Sequence, residues 1–333
     1  MVRLGGIAAL QWYSEGLRKY GSTGYERSKR HWKDPSIASK NDLSGRHYIV
    51  TGANSGIGYA IAFELAKRMA TVHMLCRNLQ RAEKARTEII EQIKSEAFEP
   101  SVEIHIADMS DTESIRSFAA SFSSKHTKLD GLINNAGALF QEESRTLDGM
   151  EKTMAIALGG SFLLTALMLP LLKEAPSGRV VNISSGGQYL VKLDAEDGKG
   201  ITRTGASYDG NIAYSLAKRA QVELTRKWVK VAGHTGVLFY SMHPGWSTTP
   251  GVTSSLPTFE KLHRNMMRDQ SQGADTAVWL AISDEPKENE NGTFWLDRNI
   301  IKTDFPLAST WCTEQERDQF WKCCQEIYNW KGE

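Results

Sequence analysis

From about residue 44 onward, short apolar runs alternate with longer segments of helical periodicity, and this rhythm constrains the fold more than any other feature of the chain. Strands are expected at 46–51, 71–76, 102–107, 129–134, 178–183 and 237–242, with a short last one at 293–295. Helices are expected between them at 57–69, 79–93, 111–122, 149–173, 211–231 and 273–281. A parallel strand pair needs a long crossover, so strands that alternate with helices imply a parallel sheet. Helices on both faces of that sheet give a single doubly wound α/β domain. No internal repeat, low-complexity tract or Gly/Ser-rich linker divides the chain. The expected layout is an N-terminal extension over 1–40, the sheet domain over 41–300 and a C-terminal helical extension over 301–333.

Composition fits such a domain. The chain has 333 residues, 41% hydrophobic and 24% charged, enough to bury a sizeable core. Its 40 basic and 39 acidic residues leave a net charge of +1, so no global field favours nucleic acid, and none is expected as a partner. Cys76, Cys312, Cys323 and Cys324 have neither a disulfide pattern nor a zinc spacing. They read as reduced thiols of an intracellular, cytoplasmic protein, and no metal ligands are expected. Two segments could be mistaken for membrane signals. Residues 4–10 are short for a signal peptide. Leu10, Tyr13, Leu17 and Tyr20 recur at near-helical spacing, so an amphipathic segment packed on the domain is expected, with a peripheral membrane or partner contact as the alternative. Residues 154–172 have the length of a membrane span. They lie between two expected strands, so a buried crossover helix is expected there and no transmembrane segment.

Thr51-Gly52-Ala53-Asn54-Ser55-Gly56-Ile57-Gly58 joins the first expected strand to the first expected helix. Glycines allow a tight turn and a close backbone approach, and a helix N-terminus offers free N–H groups to a pyrophosphate. The spacing is G-x-x-x-G-x-G rather than the commoner G-x-G-x-x-G. Four more motifs follow in order: Asn134-Asn135-Ala136-Gly137, Ser184-Ser185, Tyr214-x-x-x-Lys218 and Pro244-Gly245. Together with the glycine loop they resemble the short-chain dehydrogenases/reductases, over roughly residues 41–300.

That resemblance implies a Rossmann-type sheet, a nicotinamide dinucleotide and an oxidoreductase. Gly52, Asn54, Ser55, Gly56, Ile57 and Gly58 would form the nucleotide loop. Asp108, with Met109 beside it, would meet the adenine, and Asn135, Ala136 and Gly137 the adenosine ribose. Pro244, Gly245, Ser247 and Thr249 would clamp the nicotinamide carboxamide. The second strand ends in Leu75-Cys76-Arg77-Asn78. A carboxylate there would bind the 2′-hydroxyl of NAD, whereas an arginine accommodates a 2′-phosphate. Cys76 stands where NAD-preferring relatives carry Asp and Arg77 follows, so NADP(H) is expected, with Arg77 and Asn78 at the phosphate.

Tyr214 and Lys218 are four apart on a helical pattern and share one face. A phenol with a pKa near ~10 is a poor acid–base catalyst at neutral pH, and a neighbouring ammonium lowers it. The resemblance makes Tyr214 the proton donor to a carbonyl, or the base for an alcohol in reverse. It gives Lys218 the nicotinamide ribose hydroxyls and Ser185 the reacting oxygen. Ser184 is a structural neighbour. One position departs from the family: Ala157 stands where an Asn usually completes the catalytic tetrad. Alanine keeps a carbonyl that could hold a relay water but lacks the side-chain amide. The alternative is therefore a catalytically weak protein that binds NADP(H) in a regulatory or interaction role. Residues 186–210, with Gln188, Tyr189, Leu190 and Val191, and residues 252–263, with Leu256, Phe259 and Leu262, are candidate mobile segments beside Trp246. An apolar carbonyl or alcohol is the expected substrate. The resemblance also implies homo-oligomerisation through 149–173 and 211–231, with partly exposed apolar residues in 154–172.

Overall fold

The computed structural model of the chain describes residues 6–37, 40, 42–95, 98–193, 208–306 and 308–332. Apolar runs such as Tyr48-Ile49-Val50 leave no face for water, so each must be covered on both sides and becomes an inner strand. The N-terminal extension forms α1 (Gly6–Glu15), a π-helical turn and α2 (Ser22–Lys29). Then follow β1 (His47–Thr51), α3 (Gly56–Ala66), β2 (Thr71–Cys76), α4 (Leu79–Ile93), β3 (Val102–Ile106), α5 (Thr112–Ser123) and β4 (Gly131–Asn134). The expected long helix is α6 (Lys152–Leu158), a π-helical stretch (Gly159–Leu164) and α7 (Thr165–Lys173). It starts late because the Glu151 carboxylate caps it, accepting from Thr153 N at 3.0 Å and Met154 N at 2.8 Å. After it come β5 (Arg179–Ile183), α8 (Gly210–Ala232), β6 (Leu238–Met242), α9 (Pro250–Ser255), α10 (Pro257–His263) and α11 (Gln270–Ile282). The chain closes with β7 (Phe294–Leu296), β8 (Asn299–Ile301) and α12 (Glu314–Ile327).

The sheet runs β3-β2-β1-β4-β5-β6-β7-β8, parallel except for β8, which turns back antiparallel to β7. α3, α4 and α11 cover one face, and α5, α6, α7 and α8 the other. Strand order reverses between β1 and β4, which opens a crevice at their carboxyl ends. The expected strands and helices are all present; the β8 hairpin was not anticipated.

Residues 152–173 are long and apolar enough to cross a membrane, yet 89% of their most apolar window is buried in the domain. The partial exposure expected in 154–172 is confined to Leu167 and Pro170. The reason is the C-terminal extension. Trp321 packs 4.9 Å from Phe162 and 4.8 Å from Trp228, with Tyr328 and Trp330 alongside. A buried ion pair holds α12 in place, Arg317 Nε donating to Glu223 Oε2 at 2.8 Å.

The N-terminal helix docks in a different register from the expected one. Ala8, Trp12, Gly16 and Tyr20, spaced by four, face the domain, whereas Leu10 is 72% and Leu17 47% exposed. Gly16 decides this register: a Cβ there would lie 2.1 Å from Cζ2 of Trp246. Tyr20 alone of the four residues expected to pack is buried. Arg268 secures the segment, donating to Lys19 O at 2.8 Å while paired in two places with Asp297. Arg298 donates to Asp34 O at 2.8 Å and stacks 3.9 Å from the Trp32 ring. Asp297 and Arg298 form the β7–β8 turn, with φ of 53° and 57°.

Candidate active site

The carboxyl ends of the central strands open on a cavity of about 420 Å³. Every residue picked out above for nucleotide or catalysis lines it except Gly58. Gly58 lies beneath the loop, where a Cβ would fall 2.4 Å from both Gly52 O and Asn135 Nδ2. It packs closely against that loop. Ser55 precedes α3 without capping it through its side chain, so the first-turn N–H groups face the cavity uncapped, as an anion site requires. Asn135 braces this loop from β4, donating from Nδ2 to Thr51 O at 2.9 Å. Its backbone N–H and that of Ala136 both donate to Thr51 Oγ1, at 2.9 and 2.8 Å.

At the end of β2, Arg77 is exposed and Arg81, in the first turn of α4, joins it on the cavity edge. Asn78 has another job: its Oδ1 caps α4, accepting from Arg81 N at 2.9 Å. Burial pushes the Cys76 thiol up to about 11, against hydrogen bonds from Ala53 and Asn54, so no negative charge stands there. Asp111 caps α5 through Glu113 N and Ser114 N, which leaves Asp108 out of that role. Burial raises the Asp108 carboxyl, but hydrogen bonds from Ser110, with Lys152 and Arg77 nearby, outweigh it and hold the group below its ordinary value.

Tyr214 is the fifth residue of α8, which Asp209 caps by accepting from Asn211 N at 2.8 Å. Lys218 lies one turn on, with Nζ 5.5 Å from the Tyr214 ring centroid. Its Nζ donates to Ile183 O at 2.7 Å and Gln221 Oε1 at 3.0 Å. Burial pushes this lysine down to about 7. Burial also raises the Tyr214 phenol, opposed by a hydrogen bond with Ser185. Ser184 points elsewhere, donating to Lys218 O at 2.7 Å. Ala157 is buried, next in sequence to the lining residue Ile156, and its carbonyl accepts the Ser161 hydroxyl at 2.6 Å.

Beyond these groups the wall turns aromatic. Trp246 lies 5.7 Å from Trp12 and 5.1 Å from Phe259, with Leu256 and Met267 on the same wall. The expected mobile segment at 252–263 is α9 and α10, each opened by a proline, and Leu262 points to solvent. Among its described residues, the other candidate segment does not line the cavity beyond Gly186. Gln188 and Tyr189 are buried against the chain after β8, Tyr189 donating to Lys302 O at 2.6 Å. Residues 194–207 of that stretch lie outside the described residues. His243 also lines the cavity, kept neutral by burial and by Arg268, which bring its pKa down to about 3.

Trp12, Arg81, His243 and Met267 were not anticipated as lining residues. Arg81 could have been found from its place in the first turn of the helix that follows Arg77, and His243 from its place beside Pro244; Trp12 and Met267 arrive from distant segments.

The sequence model of the short chain dehydrogenase family matches residues 46–192. The human protein "Dehydrogenase/reductase SDR family member 12" is 37% identical over 316 residues, covering 95% of this chain and 96% of that one. Bovine "Retinol dehydrogenase 12" is 35% identical, covering 86% of this chain and 85% of that one. Among solved structures, the Pseudomonas aeruginosa RhlG/NADP active-site complex superposes with a TM-score of 0.60 at 22% identity, over 77% of this chain and 95% of that one. Nearly the whole chain is thus shared with relatives, and it belongs to the short-chain dehydrogenase/reductase family of oxidoreductases.

Proposed function

We propose that the chain is an NADP(H)-dependent oxidoreductase that interconverts a hydrophobic carbonyl and its alcohol. The observation that carries this reading is one cavity with two guanidinium groups at one end, Tyr214, Ser185 and Lys218 at its floor, and an aromatic wall beyond. The chain fits the nucleotide: the uncapped start of α3 suits a pyrophosphate, and Arg77 with Arg81 suits a 2′-phosphate. NADPH, when bound, supplies the hydride.

Tyr214 gives its proton to the carbonyl oxygen during reduction and takes it back from the alcohol during oxidation. Ser185 holds that oxygen and polarises the carbonyl. Lys218, charged, stabilises the Tyr214 phenolate left behind, and Ile183 O and Gln221 fix its ammonium within reach. Trp12, Trp246 and Phe259 exclude water and select an apolar substrate.

The test is a titration with NADPH and NADH, followed by NADPH oxidation against retinoid, steroid, quinone and aliphatic carbonyls. NADPH-preferring turnover that Tyr214→Phe abolishes, with NADPH binding retained, is the expected result. Tight NADPH binding with no Tyr214-dependent turnover across the panel would favour the regulatory role instead.

A further inference from the structure

Four of the eight histidines converge at a second place, on one face of the sheet and outside the cavity. The strand register puts them there. Ile49 of β1 pairs with His73 of β2, and His73 pairs with Glu103 of β3. Paired residues in a parallel ladder, and residues two apart on a strand, share a face. His47, His73, Glu103 and His105 therefore all project to the face covered by α5. The chain leaving α5 brings His126 to the same point, its ring 4.9 Å from His73 and 5.1 Å from His47.

His47 Nδ1 lies 3.0 Å from His73 Nε2. One ring nitrogen each of His47, His73 and His126 fall within 4.8 Å of one another. In a tetrahedral centre with metal–nitrogen bonds of ~2.0–2.1 Å, ligand nitrogens stand about 3.3 Å apart. The first two are already at nearly that separation, and His126 follows a helix end that can close the rest. We propose that His47, His73 and His126 form a binding site for a divalent transition metal of the zinc class, with the fourth position left to water.

The other nitrogen of His73, Nδ1, lies 3.0 Å from His105 Nε2 and 3.5 Å from Glu103 Oε2. A partner on the far side of a ligating imidazole fixes its tautomer and orientation. Imidazole donors select zinc, copper or nickel over magnesium or calcium. Glu103 and Asp130 favour a cation here, while Lys125 and Lys128 oppose it. His47 and His126 are half-buried, so the ion enters from solvent. The site ties β1 and β2 to the end of α5, at a distance from the chemistry, so its effect is on stability.

The test uses the full chain, stripped with a chelator and titrated with ZnCl2 by calorimetry and with CoCl2 by visible absorption. One ion per chain, a tetrahedral cobalt spectrum and a higher melting temperature with zinc are expected. His126→Ala should remove the cobalt band with NADPH affinity unchanged, and His105→Gln should weaken zinc roughly 10- to 100-fold. If His126→Ala no longer binds NADPH, His105→Gln carries the test alone. No ion bound by the native chain, unaltered binding in the variants, or a thiolate-to-cobalt band placing the ion on cysteine would each overturn the proposal.

Discussion

Arg77, just before α4, and Arg81, in its first turn, both line the cavity, and only the first is visible as a motif. A charge-assisted contact contributes about 1.5–3 kcal/mol, so either Arg→Ala change should weaken NADPH roughly ten- to hundredfold. NADH affinity should stay constant in the same fluorescence titration; equal losses for both nucleotides would remove the arginines from the 2′-phosphate. Lys218 yields a pH prediction. Its folded pKa of about 7 lies below the ordinary ~10.4, so between those values the unfolded chain binds more protons than the folded one. Its contribution to stability is lowest below pH about 7 and rises toward about 10. Urea unfolding of native protein and Lys218→Met should show the difference growing in favour of the native chain as pH rises. A constant difference would contradict it. Ala157 tests the missing amide: Ala157→Asn is expected to leave NADPH affinity unchanged and not to reduce kcat. A large loss of turnover in a folded variant would show that the position is misread.

At the scale of elements, α1 does what its sequence pattern does not announce. Its apolar residues suggest a face through Leu10, Tyr13 and Leu17, but Gly16 and the π-helical turn rotate the docked face to Ala8, Trp12 and Tyr20. Trp12 thereby becomes a wall of the substrate end. Trp12→Ala should raise KM for an apolar carbonyl and leave the NADPH dissociation constant unchanged; equal effects on both would mean the helix only supports the fold. The core strands were legible as short apolar runs and the helices by a period near four. α9 and α10 were not, since each is a short helix set by a proline and by what it covers. Asn78 and Asn135 line the cavity as expected but have structural bonds that the sequence did not announce. Their places follow from motif order, whereas their bonds, to Arg81 N and Thr51 O, are decided by local geometry.

For the whole molecule, the legible part is the fold and the floor of the cavity, whose residues sit in motifs. The illegible part is every contact that joins distant segments. His47 and His126 meet only because register and a crossover bring them together, and nothing in their spacing shows it. α12 is a second case: it was expected as a helix, but not that it would cover Phe162 and Trp228. Trp321→Ala should cost about 3–5 kcal/mol in urea unfolding, the usual range for a large aromatic removed from a core. A loss below ~1 kcal/mol would mean that α12 rests on the domain without closing it. The clasp on the N-terminal extension has its own consequence in time. Residues 6–32 leave the ribosome well before their anchors, Trp246, Arg268 and the Asp297–Arg298 turn. The β1-to-β4 half can pair as it emerges. The helix carrying Trp12 cannot dock until the Asp297–Arg298 turn has been made, and Trp12 and Tyr20 stay uncovered until then.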